Sequence, residues 1–404
     1  MTKSLWKQKN FMLLWSGQLV SWVGTEVTSI ALPLVVLALT GSPTQAGKVA
    51  AIRGLVYVLW AIPAGALVDQ WNIKIVMVIS NLGSGLAMGG IAITLGLHVL
   101  KLPELYVACA IEGSFFVFTN LARFASLPRA VTKEQFPAAS AQMGSANQAA
   151  ILVGPALGGF LLQLTGGFAT FLADAISYIV NAVSIFFIST SLNAETPAER
   201  RALHRDIQEA FAWYRKASVI RFLNLMTAGR IGVEAGLYLL IVVLAKEHHA
   251  SSVAIGLIFT TAAIGGIAGS WVAPKVHSRY GLKQLLAGVS LLSLLVFCLY
   301  TLANSVYALG LITALYYAVD PLFHVTTSSY SAKVIPDTLR ARVVSFTRLQ
   351  VLAANSLGFF IVGQSLQYLG SRSTIYIFLG LLSVLLVLIV ANSKLSPAEA
   401  SAAV

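Results

Sequence analysis

Five carboxyl groups stand inside long apolar runs of the sequence: Glu26, Glu112, Asp174, Glu234 and Asp320. A charge near the centre of a bilayer costs at least about 2.5–3.5 kcal/mol. A chain keeps such a group where it faces water, a partner or a function. A carboxyl in a low-dielectric cavity has its charged form disfavoured, so it can load a proton on one side of a membrane and release it on the other. A cationic substrate is attracted to the same group. Glu26 and Glu112 have no basic residue within one turn of their own segments, and Arg53 is the nearest candidate partner. They lead as the proton-carrying residues, Glu112 first and Glu26 second. Glu234 lies four residues after Arg230, and Asp320 four residues before His324. That spacing puts each pair on one helical face, so structural pairing and proton coupling both stay open for these two acids. Asp174 lies early in its segment and reads as structural.

These acids require elements that hold them in a bilayer. The chain has 404 residues, 57% hydrophobic and 10% charged, against about 25% charged in soluble domains. A run of roughly 20 apolar residues crosses a bilayer as a helix. Such runs fall at 11–39, 46–68, 75–97, 104–124, 140–164, 168–191, 219–245, 252–273, 282–303, 305–328, 345–369 and 373–392. The fold class is therefore an all-α membrane protein with twelve transmembrane helices. The first run is too long for a removable signal peptide. Cys109 and Cys298 both lie in apolar runs and read as buried thiols. No metal-ligand spacing occurs, and neither a phosphate loop nor a dinucleotide motif is present. No metal and no cofactor are expected.

The net charge of +12 raises the question of nucleic acid, and its distribution answers it. With the N-terminus inside, 20 of the 27 Lys and Arg fall in cytoplasmic loops and tails. Lys48, Lys101, Lys246 and Arg372 fall outside, and Arg53, Arg230 and Arg348 lie within spans; Arg123, at the end of span 4, counts with the loop cations. Cytoplasmic loops attract Lys and Arg. The split sets both termini in the cytoplasm and explains the basic balance by a lipid bilayer, with no nucleic acid.

The longest polar segment, 192–218, joins an N-terminal half (1–191) to a C-terminal half (219–404). Within it, Ala202, Ile207, Ala210, Phe211 and Tyr214 fall near one helical face, so it reads as a cytoplasmic amphipathic helix. The halves look duplicated. Gln70–Lys74 matches Arg279–Lys283 after an offset of 209 residues, and Val131–Glu134 matches Val334–Asp337 after 203. Parallel six-span halves, with a site near the midplane, form a transporter architecture. Glu26, Glu112, Glu234 and Asp320 sit near the middle of spans 1, 4, 7 and 10, the first and fourth of each half. Around them, Trp22, Phe115, Phe116, Tyr238, Tyr316 and Tyr317 are candidates for a substrate wall, a role that competes with plain packing. Arg53, Arg230 and His324 are the candidate polar members of that wall.

The loop Gly65-Ala66-Leu67-Val68-Asp69-Gln70-Trp71-Asn72-Ile73-Lys74 resembles the loop 2–3 signature of the major facilitator superfamily. Gly65, Leu67, Asp69 and Lys74 match it; Gln70, Asn72 and Ile73 replace an arginine, a glycine and a second arginine. The resemblance implies a conformational latch of Gly65, Asp69 and Lys74 with Arg340 and Arg342. The run Val153-Gly154-Pro155-Ala156-Leu157-Gly158-Gly159 resembles the span 5 antiporter signature, matched at Gly154, Pro155, Gly158 and Gly159. With Phe11…Leu14-Trp15-Ser16-Gly17-Gln18, Ala31-Leu32-Pro33 and Pro336…Arg340-Ala341-Arg342-Val343, it resembles the drug:proton antiporter branch of macrolide-efflux and siderophore (enterobactin-type) exporters. At the span 4 signature, Cys109-Ala110-Ile111-Glu112-Gly113 keeps only the glycine. An acid stands where the family has glutamine and a cysteine where it has arginine.

The resemblance implies a monomeric, proton-coupled exporter of small amphipathic compounds in the cell (inner) membrane, working by alternating access. The alternatives are a same-fold importer or lysophospholipid-type flippase and, more distantly, an intramembrane enzyme. Enzyme motifs such as His-Glu-x-x-His and Gly-x-Ser-x-Gly are absent, so no enzymatic activity is expected. In a membrane, small residues allow close helix approach, so the span 5 run is expected to pack against span 8 and its Gly265-Gly266-Ile267-Ala268-Gly269.

Overall fold

A computed structural model describes residues 5–68, 70–192, 211–277 and 279–395. Among them there are helices and no strands. In lipid a helix satisfies every backbone group within its own segment, so this is the form that apolar runs take. The helices are α1 (Lys9–Thr40), α2 (Pro43–Val68), α3 (Ile73–Gly96), α4 (Leu102–Ala130), α5 (Phe136–Thr165), α6 (Phe168–Phe186), α7 (Ser218–Glu247), α8 (Ser252–His277), α9 (Leu282–Cys298) and α10 (Val306–Val334). A last helical run, Asp337–Ala391, breaks at Gly370, which has φ 76°. It therefore forms two helices, α11 (337–369) and α12 (371–391). Ten of these runs, the last counted once, are long and apolar enough to cross a membrane. The 26-residue α2 is about 39 Å long at 1.5 Å per residue. With it the helices make the twelve expected crossings.

Local sequence sets the ends. Asn72 accepts from the Ile75 amide at 3.2 Å and Ser305 from the Ala308 amide at 3.2 Å, starting α3 and α10 as N-caps do. Between α5 and α6 the chain turns in two residues, Gly166 (φ 62°) and Gly167 (φ 105°), a backbone that side chains other than glycine adopt with difficulty. The duplication appears in the element ends. Helices α2 and α8 end at Val68 and His277, and α3 and α9 begin at Ile73 and Leu282, both 209 residues apart.

The chain separates into two compact units: residues 1–199 with 251–260, and residues 200–250 with 261–404. The expected division did not assign the first turns of α8 to the first unit. Glycine contacts explain the assignment. A Cβ on Gly159 would strike the Ser252 carbonyl, and one on Gly256 the Pro155 carbonyl. Thr260 Oγ1 donates to the Leu152 carbonyl at 3.1 Å. The span 5 run therefore does meet α8, but at Ser252, Gly256 and Thr260 rather than at the glycines beyond. Gly265 and Gly269 lie against the backbone of Ala314 and Ala318 in α10. The other face of the span 5 run packs on α1, with Gly154 against Glu26 and Gly158 against Val27.

Most of the predicted linker helix lies outside the described residues. Its end, 211–216, is helical, and Tyr214 stacks on Phe346 with ring centroids 6.3 Å apart and donates to Gln350 at 3.1 Å. Of the two cysteines, Cys109 is buried as expected, whereas Cys298 is exposed at the end of α9. An apolar run has a lipid-facing side as well as a packed one, and hydropathy alone does not separate them.

Candidate functional site

In the first unit, Glu112 on α4 has partners that its own helix does not supply. Arg53 Nη2 on α2 lies 2.9 Å from Glu112 Oε1, and the Tyr178 hydroxyl on α6 donates to the same oxygen at 2.9 Å. The Thr25 hydroxyl stands 3.3 Å from the Tyr178 hydroxyl. The close approach of α2 and α4 depends on Gly113, where a Cβ would sit 3.2 Å from the Arg53 Cα. Glu112 keeps 7% of its side-chain surface, and Arg53 34%, so a solute reaches the guanidinium and not the carboxylate. Charge-assisted bonds from two donors are strong. Glu112 is thus a paired, hydrogen-bonded carboxylate rather than an isolated one.

Arg53 opens into a cavity of about 590 Å³ walled by α1, α2, α4 and α5. Its guanidinium lies 4.2 Å above the Phe116 ring. A second guanidinium, Arg123, lines the same space, lying 4.4 Å from the Phe124 ring and 5.1 Å from Trp22. Glu26 and Trp22 face the cavity from α1. Arg123 is not a loop cation. Helix α4 runs on to Ala130, which leaves Arg123 two turns inside it. Phe115 departs from expectation too. It packs over Gly83 of α3 and lines a separate cavity of about 700 Å³ with Trp60 and Trp71. One residue along a helix turns a side chain by about 100°, and here that turn sends Phe115 and Phe116 to different cavities.

Asp174 is buried, with Ser177 Oγ 3.4 Å from Oδ1 and Gly24 of α1 packed above it. Tyr178 lies one turn further along the same face of α6. That spacing is readable in the sequence and identifies Tyr178 as a neighbour of the buried acids.

In the second unit the expected pairing of Arg230 with Glu234 gives way to a pairing across helices. Arg230 Nη2 lies 3.1 Å from Asp320 Oδ1 on α10, Nη1 donates to Ser293 Oγ on α9 at 3.1 Å, and the guanidinium lies 4.6 Å from the Phe323 ring. His324 Nε2 stands 3.3 Å from Asp320 Oδ2, as the spacing predicted. Glu234, Asp320 and His324 bring one ligand atom each within 4.8 Å of one another. The Glu234 Oε1 atom is buried without a hydrogen-bond partner, as is the Tyr316 hydroxyl. A metal ion would need Asp320 oxygens that Arg230 and His324 already hold, so the donor set is a poor fit to a cation of high charge. Tyr316 packs edge-on to Tyr317 at 6.0 Å, while Tyr238 packs edge-on to Phe359 at 6.3 Å.

The loop residues divide. Asp69 lies outside the described residues. Lys74 donates to the Ile188 carbonyl at 2.7 Å, and Arg129 to the Leu192 carbonyl at 2.9 Å. Both cations cap the chain leaving α6, where carbonyls lack helical partners. Arg340 pairs with Asp337 one turn away at 2.6 Å and donates to the Ala332 carbonyl at 3.0 Å. Gly65 has open space around it.

A bundle of long apolar helices with charged groups buried in each unit limits the families to compare. The sequence profile of the Major Facilitator Superfamily matches residues 14–316 and 225–403. The chain belongs to the Major Facilitator Superfamily. It is a multi-pass membrane transporter and not an enzyme. Among curated members of the superfamily, it is 23% identical to the multidrug efflux pump Tap of Mycobacterium tuberculosis over 381 residues, covering 90% of this chain and 88% of Tap. It is 24% identical to the enterobactin exporter EntS of Citrobacter koseri over 362 residues, covering 87% and 84%. Among solved members, the occupied, inward-facing structure of a bacterial homologue of the lysosomal transporter Spinster superposes with a TM-score of 0.80 at 12% identity, covering 98% of this chain and 99% of that one. A point mutant of the nucleoside transporter NupG gives 0.75 at 16%, covering 96% and 99%. These structures share the superfamily fold.

Proposed function

We propose that this transporter is a proton-coupled exporter of small amphipathic compounds, acting as a monomer in the cell (inner) membrane with both termini cytoplasmic. The observation that carries the coupling is the charge count around Arg230. Two carboxyls, Glu234 and Asp320, meet one guanidinium and one neutral-capable imidazole. A buried ion pair survives when its charges match; here one negative charge is left over. A single proton, on Glu234 or His324, restores neutrality. Such a proton can be loaded from one side and lost to the other as the site changes exposure, which is what alternating access requires. Glu112, matched by Arg53 and Tyr178, then serves to hold α2, α4 and α6 together. The direction is supported by the efflux named for Tap and the export named for EntS, and by the Gly154–Gly159 run.

The test uses purified protein in liposomes carrying a trapped pH dye and an acid-inside gradient. Ethidium, tetraphenylphosphonium and 1-naphthoate are offered outside. Uptake against the gradient of at least one probe, with matching alkalinisation of the lumen, is the expected result. Movement of a probe without any proton flux would refute coupling.

A further inference from the structure

The cavity of the first unit carries a chemical preference of its own. Three charged side chains line it: Arg53, Arg123 and Glu26. Glu112, the partner of Arg53, is buried behind the wall and does not line it. A solute in the cavity therefore meets two cations and one anion. Each guanidinium lies on an aromatic face, Arg53 on Phe116 and Arg123 between Trp22 and Phe124. Stacking holds a guanidinium in place; Arg53 Nη2 pairs with Glu112 at 2.9 Å and Arg123 Nη2 donates to Asn120 at 2.8 Å, and a guanidinium carries five N–H groups in all. Arg53 keeps 34% of its side-chain surface while paired to Glu112, so part of its guanidinium is open to the cavity. About 590 Å³ falls in the range of small-molecule sites, roughly 300–1,000 Å³.

We propose that this cavity is the recognition site for amphipaths whose polar end is a single carboxylate on an aromatic body. The carboxylate accepts from the exposed edge of the Arg53 guanidinium and from the Arg123 guanidinium. The ring system lies among Trp22, Phe116 and Phe124. Glu26, one turn along α1 from Trp22, lines the same cavity and repels a second anionic group, so the site selects monoanions. The notion of a cationic cargo drawn to buried acids is thereby reversed for this unit: its acids are either covered by Arg53 or outnumbered. The proposal rests on the transport function above, but binding is measured without transport, so the two fail separately.

The experiment compares three ligands with one ring system and different heads: 1-naphthoate, 1-naphthamide and 1-naphthylmethylammonium. Binding to the purified full-length chain in detergent is followed by calorimetry. Naphthoate is expected to bind at least tenfold tighter than the amide, and the ammonium weakest. Arg123→Gln is expected to remove that preference while retaining amide binding, which also reports that the variant is folded; Arg123→Lys is expected to restore part of it. Trp22→Leu should weaken naphthoate and amide alike. A dianion, naphthalene-1,8-dicarboxylate, should bind worse than naphthoate, and Glu26→Gln should close that gap. Ammonium binding equal to or tighter than naphthoate, or an unchanged naphthoate affinity in Arg123→Gln with the fold intact, would overturn the assignment. Naphthoate binding in a protein that moves no protons would leave the site standing and remove the coupling.

Discussion

The two units bury charge in opposite ways. In the first, Glu112 is satisfied twice over, by a guanidinium and a phenol at 2.9 Å each, and it is the two guanidiniums and Glu26, not Glu112, that line the cavity. In the second, the one guanidinium pairs with Asp320, and a buried Glu234 oxygen is left without a donor. At corresponding spans, 1 and 4 against 7 and 10, we propose a ligand surface in one unit and a proton site in the other. A duplicated framework conserves helices, not charge balance.

Removing Arg230 tests this contrast hardest. Arg230→Met leaves two buried carboxyls without a cation, and breaking a buried pair from one side costs about 3–5 kcal/mol. A large drop in thermal unfolding temperature is expected. Arg53→Met should cost less, about 1–3 kcal/mol, because Arg53 is partly exposed and Tyr178 still donates to Glu112. Equal losses would erase the difference between the units. Glu112→Gln keeps an acceptor for Tyr178 and Arg53, so proton-driven uptake in liposomes should persist, with a loss of stability of about 1 kcal/mol. His324→Gln removes a half-exposed contact to Asp320, worth about 0.5 kcal/mol or roughly a twofold change in flux. A complete loss of flux there would move the proton from Glu234 to the imidazole.

Much of this is legible in the sequence, and the limits have physical causes. Span positions follow from length and hydropathy, and even the break at Gly370 falls in the expected gap between spans 11 and 12. The Asp320–His324 contact is readable because both lie on one helix. Arg230–Asp320 and Arg53–Glu112 are not assignable from sequence, because helix rotation and neighbour identity are set by packing between helices. The close approach at Gly113 and Gly154 is visible only once the facing residues, Arg53 and Glu26, are known. Arg123 reads as a loop cation because it stands at the end of the apolar run, while the helix continues to Ala130. The glycine run in span 5 does mark a tight contact, and its partners are α1 and the first turns of α8.

The most direct test of the central claim is Glu234→Gln in liposomes, assayed for uphill uptake under a pH gradient and for downhill exchange of the same probe. The amide is neutral without a proton, so the variant should fold at least as stably as the parent, lose uphill uptake to the level of protein-free liposomes, and retain exchange. Uphill uptake at the parent's rate would contradict the account and return the proton to the first unit.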